Sequence, residues 1–237
     1  MGINSTKRFF PVIHCIDPFE QQGIGHAIGN TKIAIKNKAD GVFLIGHSIN
    51  FRSLCDIYEH VRKQFPEIWI GVNFLDITGM NGWGSLGRVA NTCRGLNALW
   101  IDTTPEERFG INSLGTFDSI EIFGGVAFKY INPDIRGEEL KKSCDQAGQL
   151  VDVITTSGTK TGSAPNVAKL EEIRKNIGNE KRLALASGVT LENVSLFLPT
   201  VSDFLVASSI TERVKDFGNH EYLVPEKVLA LATKIHT

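Results

Sequence analysis

Three stretches of the sequence are rich in small and hydroxyl-bearing residues, and two of them contain glycine. They are Thr155-Thr-Ser-Gly-Thr-Lys-Thr-Gly162, Ser187-Gly-Val-Thr190 and Ala207-Ser-Ser209. Residues of this kind suit an oxyanion. A phosphate needs several donors at short range, and glycine lets backbone N–H groups approach without a Cβ in the way. A helix N-terminus adds oriented N–H groups and a partial positive charge. The phosphate-binding set expected here is Ser157, Gly158, Gly162, Ser187, Gly188, Ser208 and Ser209. Taken singly, each stretch reads as a tight turn or a helix cap; the three together favour a phosphate grip. Thr190 is expected to cap a helix over Leu191–Leu198, and Ser208-Ser209 to open a short extra helix around Ile210–Val214. Thr159–Gly162 reads as a flap carrying Lys160.

Five further residues are candidates for catalysis: Lys129, Asp102, His14, Asn73 and His47. Lys129 ends the apolar run Val126-Ala-Phe. It either enters the mouth, as a partner for a phosphate or a desolvated amine nucleophile, or snorkels to solvent. Asp102 follows Leu99-Trp-Ile and reads equally as a general base and as a loop cap. Asn73 follows Trp69-Ile-Gly-Val; its amide would orient a substrate group or bond between strands. Histidine is the natural acid–base residue near neutral pH, although one at a strand end is more often simply hydrogen-bonded. With Asp17 or Asp76, the pair His14 and His47 could ligate a metal, but no tight ligand spacing such as H-E-x-x-H is present. No metal or other cofactor is therefore expected. His26, His60, His220 and His236 read as surface residues.

These residues need a frame that brings them to one place. Eight short apolar runs read as strands: Pro11–Ile16, Gly41–Ile45, Ile68–Phe74, Ala98–Ile101, Ile120–Phe128, Val151–Thr155, Arg182–Ala186 and Asp203–Ala207. Being near-continuous rather than alternating, they suit parallel strands buried on both faces. Helical spacing of apolar residues fills Gly23–Lys38, Ser53–Gln64, Asn166–Ile177 and Pro225–Ile235. Only the fourth unit is weak, because Thr103–Asp118 is rich in Gly and Pro. Eight strand–helix units predict an α/β chain forming a single (β/α)8 TIM barrel over residues 1–237, in preference to an open doubly wound sheet. Barrels often bind phosphate at the loops after strands 7 and 8, where two of the three stretches fall. All the candidate residues stand where a strand runs into its loop. At the opposite ends the chain reads as polar turns.

Composition narrows the partners. The chain has 237 residues and a formal net charge of -1, with no basic block, so no nucleic acid is expected. Its four cysteines, Cys15, Cys55, Cys93 and Cys144, are scattered, which excludes a zinc ribbon or disulfide scaffold and suits a reducing, cytoplasmic setting. No apolar stretch approaches the ~18 residues of a membrane span, and the N-terminus lacks a signal-peptide core. A homodimer is plausible for a barrel of this size.

The same residues also carry a resemblance. Ile154-Thr-Thr-Ser-Gly-Thr-Lys-Thr-Gly-Ser-Ala-Pro165, Ala186-Ser-Gly-Val-Thr-Leu-Glu-Asn193 and Phe204-Leu-Val-Ala-Ser-Ser209 resemble the BtpA/SgcQ family, TIM barrels named for a photosystem I biogenesis protein. The Phe9–His14 opening, Ile68–Leu75 and Phe123-Gly-Gly-Val-Ala-Phe-Lys129 are similar to a compact subgroup labelled adenine phosphoribosyltransferase. The resemblance implies a barrel with a phosphate site. The usual phosphoribosyltransferase loop, an apolar strand leading to paired acids and a Thr-Gly turn, is absent from the sequence.

The function expected is that of an enzyme acting on a small-molecule phosphate ester: a phosphorylated sugar or nucleotide of phosphoribosyl type, by isomerase, lyase or glycosyl-transfer chemistry. The alternative is a non-catalytic assembly factor or ligand-binding module of the BtpA type. Polar groups gathered at the strand ends favour the enzyme.

Overall fold

All eight apolar runs form strands. In the computed structural model they are β1 (Arg8–His14), β2 (Val42–Gly46), β3 (Ile70–Phe74), β4 (Ala98–Ile101), β5 (Glu121–Gly125), β6 (Val153–Thr156), β7 (Arg182–Leu185) and β8 (Asp203–Val206). The structure describes residues 6–20, 22–47, 49–75, 92–104, 120–215 and 220–237. Each strand pairs in parallel with the next, and β8 pairs with β1, so the sheet closes into an eight-stranded barrel. The weak segment at 105–119, together with Asp76, lies outside the described residues.

The period of two along each strand sorts residues between inside and outside. Phe10, Val12, Phe43, Ile45, Trp100 and Leu205 belong to the cluster that fills the barrel. Residues of the other parity, such as Phe9, Leu44 and Val72, form a second core against the helices. Followed to the carboxyl ends of β1 and β3 and one residue past those of β2 and β4, the inward parity brings His14, Asn73, His47 and Asp102 to the carboxyl mouth.

Five helices among the described residues cover the outside: α1 (Gly23–Lys36), α2 (Phe51–Gln64), α3 (Gly137–Leu150), α4 (Val167–Ile177) and α5 (Pro225–Ile235). Local chemistry sets their ends. Asn50 Oδ1 accepts from Ser53 N–H at 3.1 Å to cap α2, and Asn166 Oδ1 accepts from Ala168 N–H at 2.9 Å to cap α4. Pro225 opens α5 at its first turn. None of the described helices is long and apolar enough to cross a membrane.

Three expectations fail locally. Residues 191–198 form turns around a 3₁₀ helix of three residues, Val194–Leu196, instead of an α-helix. The Asn193 side chain turns back, accepting from Thr190 N–H and donating to the Gly188 carbonyl, and these local bonds compete with a helical start. Residues Ile210–Val214 do not open a helix. Thr211–Val214 is strand β9, paired antiparallel with β10 (His220–Leu223) in a hairpin, and buried Leu223 anchors it. The fifth strand stops at Gly125 instead of reaching Phe128. Val126 N–H still donates to the Thr155 carbonyl, but Ala127 then turns to φ +47° and ends the ladder.

At the amino end the barrel is closed by charge. Asp203 is fully buried and accepts from Arg8 Nε at 2.5 Å and Arg182 Nε at 2.9 Å. Arg8 Nη1 also reaches Glu121 at 2.9 Å, and the Arg8 guanidinium lies over the rings of Phe10, Trp69 and Phe123.

Candidate functional site

The carboxyl mouth holds a cleft of about 60 Å³, room for several water-sized atoms. His14 lines it from the end of β1, His47 from just after β2, Lys129 from the loop after β5, and Thr161 and Gly162 from the loop after β6. Ser187 and Gly188 follow β7, Ala207 and Ser208 follow β8, and Trp100 is among the apolar residues of the wall. Of the twelve candidate residues, seven therefore meet at this cleft: His14, His47, Lys129, Gly162, Ser187, Gly188 and Ser208.

The other five are placed behind it or beside it. Ser157 is buried, and its hydroxyl accepts from Lys129 N–H at 2.7 Å and donates to the Gly158 carbonyl at 3.0 Å, so it braces the loop that carries Lys129. Ser209 likewise spends its hydroxyl on the Val189 carbonyl, at 2.6 Å. Gly158 and Gly188 are glycine for packing reasons. A Cβ on Gly158 would sit 1.9 Å from the Ser163 carbonyl oxygen, and one on Gly188 2.0 Å from Ala164 N. The β6 loop thus folds tightly on itself at Gly158 and clasps the β7 loop at Gly188, so that no side chain fits at either position. Gly188 also holds φ +66°, which glycine alone adopts without strain. The backbone N–H groups of Gly188, Ser208 and Ser209 have no hydrogen-bond partner among the described residues.

Asn73 and Asp102 face one another: Asn73 Nδ2 donates to Asp102 Oδ1 at 3.1 Å. Burial pushes the Asp102 carboxyl above the ordinary carboxylate range, against the opposing pull of this bond and of the Lys129 charge. Asn73 Oδ1, Trp100 Nε1 and Thr155 Oγ1 are buried without a partner among the described residues. His47 is exposed, yet partial desolvation of its ring, with the charges of His14 and Lys129 beside it, lowers its pKa below the usual imidazole value. The two imidazoles meet edge to face, their centroids 4.9 Å apart.

The loop after β5 is strained. Ala127, Tyr130 and Asn132 all adopt positive φ, a concentration typical of functional loops. Buried Lys169, from α4, holds it in place by donating to the carbonyls of Ala127 at 2.5 Å and Ser157 at 2.7 Å. Burial, with the nearby Arg136 charge, lowers the Lys169 pKa to about 8. Sequence reasoning passed over this lysine, because in the chain it is one cation on an amphipathic helix.

It also missed Glu221, whose carboxylate comes from the unforeseen hairpin and meets His14 Nδ1 at 3.0 Å. His26, expected on the surface, is only 2% exposed. It packs under the same hairpin, with Nε2 2.7 Å from the Glu221 carbonyl. Asp17 turns from the cleft to accept from Phe19 N–H at 3.0 Å. No cluster of three or more metal-ligating side chains occurs among the described residues. All four cysteines are unbridged and buried, and burial pushes the thiols of Cys15 and Cys144 up to about 12.

Solved structures share this architecture from end to end. The alpha chain of tryptophan synthase from Legionella pneumophila aligns over 97% of this chain and 92% of its own, with a TM-score of 0.68 and 13% identity. The chain is a TIM barrel. A structure described as native KDPGal aligns over 99% of this chain and 98% of its own, at TM-score 0.67 and 12% identity. A protein from Aquifex aeolicus VF5 aligns over 98% and 95%, at 0.63 and 16%. At these identities the likeness concerns the fold. No family model and no curated protein sequence matches the chain.

Proposed function

We propose that this barrel is an enzyme acting on a small-molecule phosphate ester, held at the mouth between the loops after β6, β7 and β8. One observation carries the reading. The N–H groups of Gly188 and Ser208, unpartnered among the described residues, and the Lys129 side chain belong to residues that border a single cleft of about 60 Å³, beside Ser187, whose hydroxyl donates to the Lys160 carbonyl at 3.2 Å. Oxyanions are bound by such sets of backbone donors, and a lysine adds a point charge. In this reading Gly162 lets the loop approach the ligand, while Ser157, Gly158 and Ser209 shape the grip from behind.

The reacting part of the substrate would lie toward His14, His47, Lys129 and the Asn73–Asp102 pair. His47, biased toward its neutral form, suits proton acceptance. Asp102, whose carboxyl holds a proton more tightly than an exposed one because it is buried, suits proton exchange with a carbonyl or ring oxygen. These roles fit isomerisation, lyase chemistry or glycosyl transfer on a phosphorylated sugar or nucleotide, including a phosphoribosyl type. The resemblance to the BtpA/SgcQ family points to the same phosphate site. Barrels described as tryptophan synthase alpha chain and KDPGal are among its structural neighbours. A cytoplasmic homodimer, without metal or other cofactor, completes the reading.

Calorimetric titration with inorganic phosphate tests it. The wild-type protein should bind phosphate, and Lys129→Ala should bind it at least ~10-fold more weakly, about 1.4 kcal/mol. The thermal midpoint should stay put. Full phosphate affinity in the alanine variant would remove Lys129 from the site, and no binding to the wild type would sink the proposal.

A further inference from the structure

Hairpin β9–β10 is an addition to the plain strand–helix repeat, and it delivers a carboxylate to His14, which lines the cleft. We propose that Glu221 and His14 form the proton-accepting pair of the mouth, with Glu221 as the positioning residue that keeps the imidazole proton on Nδ1 and leaves Nε2 as the acceptor. The pair acts on a hydroxyl group of the bound phosphate ester, so this inference rests on the function proposed above.

The geometry supports each part. Glu221 Oε2 lies 3.0 Å from His14 Nδ1, and an ionised carboxylate only accepts hydrogen bonds, so the proton must sit on Nδ1. The His14 bond in the first place, with Arg213 beside it, holds Glu221 below the usual carboxylate range and so keeps it ionised. His14 Nε2 has no hydrogen-bond partner among the described residues, and its ring lines the cleft.

The carboxylate is also built in firmly. Leu223 N–H donates to Asn30 Oδ1 at 2.7 Å, and His26 Nε2 lies 2.7 Å from the Glu221 carbonyl. Both partners are buried residues of α1. A carbonyl only accepts, so the shorter contact needs the proton on His26 Nε2; Asn30 Nδ2, 3.0 Å from the same nitrogen, then donates to the His26 carbonyl at 3.0 Å. His26 Nδ1 is buried without a partner among the described residues, as a neutral ring allows. Two backbone positions, at Glu221 and two residues beyond it, are thus fixed by α1, and the side chain reaches back to β1. The titratable and charged groups around the pair are His47 after β2, Lys129 after β5, Arg213 on β9, and His26 and His220 behind.

The step is a simple proton transfer. The substrate O–H bond breaks, its electron pair stays on oxygen, and a new N–H bond forms at His14 Nε2. The resulting imidazolium faces the Glu221 carboxylate, and the alkoxide faces the Lys129 ammonium across the cleft. No net charge is created. An oriented carboxylate of this kind fixes the tautomer and stabilises the imidazolium that forms.

Long-range ¹H–¹⁵N NMR of the histidine rings in the full-length, ¹⁵N-labelled protein tests the pair at about pH 9, well above the ordinary imidazole pKa. The His14 signals are identified by their loss in His14→Asn. In the wild type they should show an Nδ1–H tautomer. Glu221→Ala should shift them toward the Nε2–H form that free histidine prefers, and Glu221→Gln should restore Nδ1–H through its amide oxygen. An Nε2–H tautomer in the wild type would overturn the inference, even if the alanine variant failed to fold. So would an unchanged tautomer in a folded Glu221→Ala protein. Phosphate titration separates the two ideas: a protein with Nδ1–H that binds no phosphate defeats the functional reading alone. One that binds phosphate with Nε2–H defeats the pair alone.

Discussion

The two ends of the barrel use charged and polar groups to opposite effect. At the amino end, Arg8, Arg182, Glu121 and Asp203 bond to one another, and only Nη2 of Arg8 is left buried without a partner among these groups. At the carboxyl end, Lys129, His47 and the N–H groups of Gly188 and Ser208 border an open cleft. Charge that is mutually satisfied stabilises a fold; charge left open awaits a ligand. Removing a group should therefore cost stability at one end and ligand binding at the other. Lys129→Ala and the variants below set the two ends against each other.

Asp203→Ala should have the largest effect. It leaves two guanidinium groups, each about one-fifth exposed, without their shared buried counterion. Removing one member of a buried pair typically costs about 3–5 kcal/mol. Urea denaturation should show a loss of this order, while the folded fraction should bind phosphate as the wild type does. A small loss of stability would mean that the aromatic rings under Arg8 close this end instead.

Gly188→Ala comes next and should affect both properties. A left-handed conformation costs a non-glycine residue about 1–2 kcal/mol, and the added methyl would meet Ala164 N at 2.0 Å. The β6 and β7 loops must then part. Loss of phosphate binding should accompany a stability loss of about 2–3 kcal/mol. Unchanged phosphate affinity would place the anion away from this clasp.

Lys169→Met should cost less, about 1–2 kcal/mol net. Two carbonyls lose their donor, but a buried charge is removed as well. The more telling readout is phosphate affinity, which should fall because the loop carrying Lys129 loses its brace. If affinity held while stability fell, Lys169 would belong with the stabilising end despite its position.

How much of this was legible in the chain depends on the range of the interactions. The eight strands were, because burial on both faces imposes continuous apolar runs such as Val42–Ile45 that need no knowledge of their neighbours. The inward parity of His14, His47, Asn73 and Asp102 follows from the same runs. Helix 191–198 was misjudged because Asn193 folds back on Thr190, a local competition that apolar spacing does not register. Hairpin β9–β10 was missed because its pairing runs between Thr211–Val214 and His220–Leu223, and its anchors, His26 and Asn30, lie on α1, far away in the chain. The roles of Lys169 and Glu221 are set wholly by such contacts. Ser157 and Ser209 do stand near the cleft, but their hydroxyls are spent on the backbone, which composition alone does not reveal.

The smallest expected effect separates the hairpin from the rest of the mouth. Burial, foremost, lowers the His26 pKa from its ordinary 6.5. As pH falls below 6.5, the unfolded chain takes up a proton that folded His26 resists, so the unfolded state binds more protons and stability falls with pH. His47 shifts in the same direction and contributes in the same sense. His26→Gln can keep a donor toward the Glu221 carbonyl but cannot titrate. Between about pH 7 and about pH 5, urea midpoints should fall less steeply in this variant than in the wild type. The remaining slope would report His47 and the carboxylates. Equal slopes would mean that acid opens the hairpin before His26 is ever challenged, and that the Glu221 carboxylate is held from the cleft side, by His14, more than by the helix beneath it.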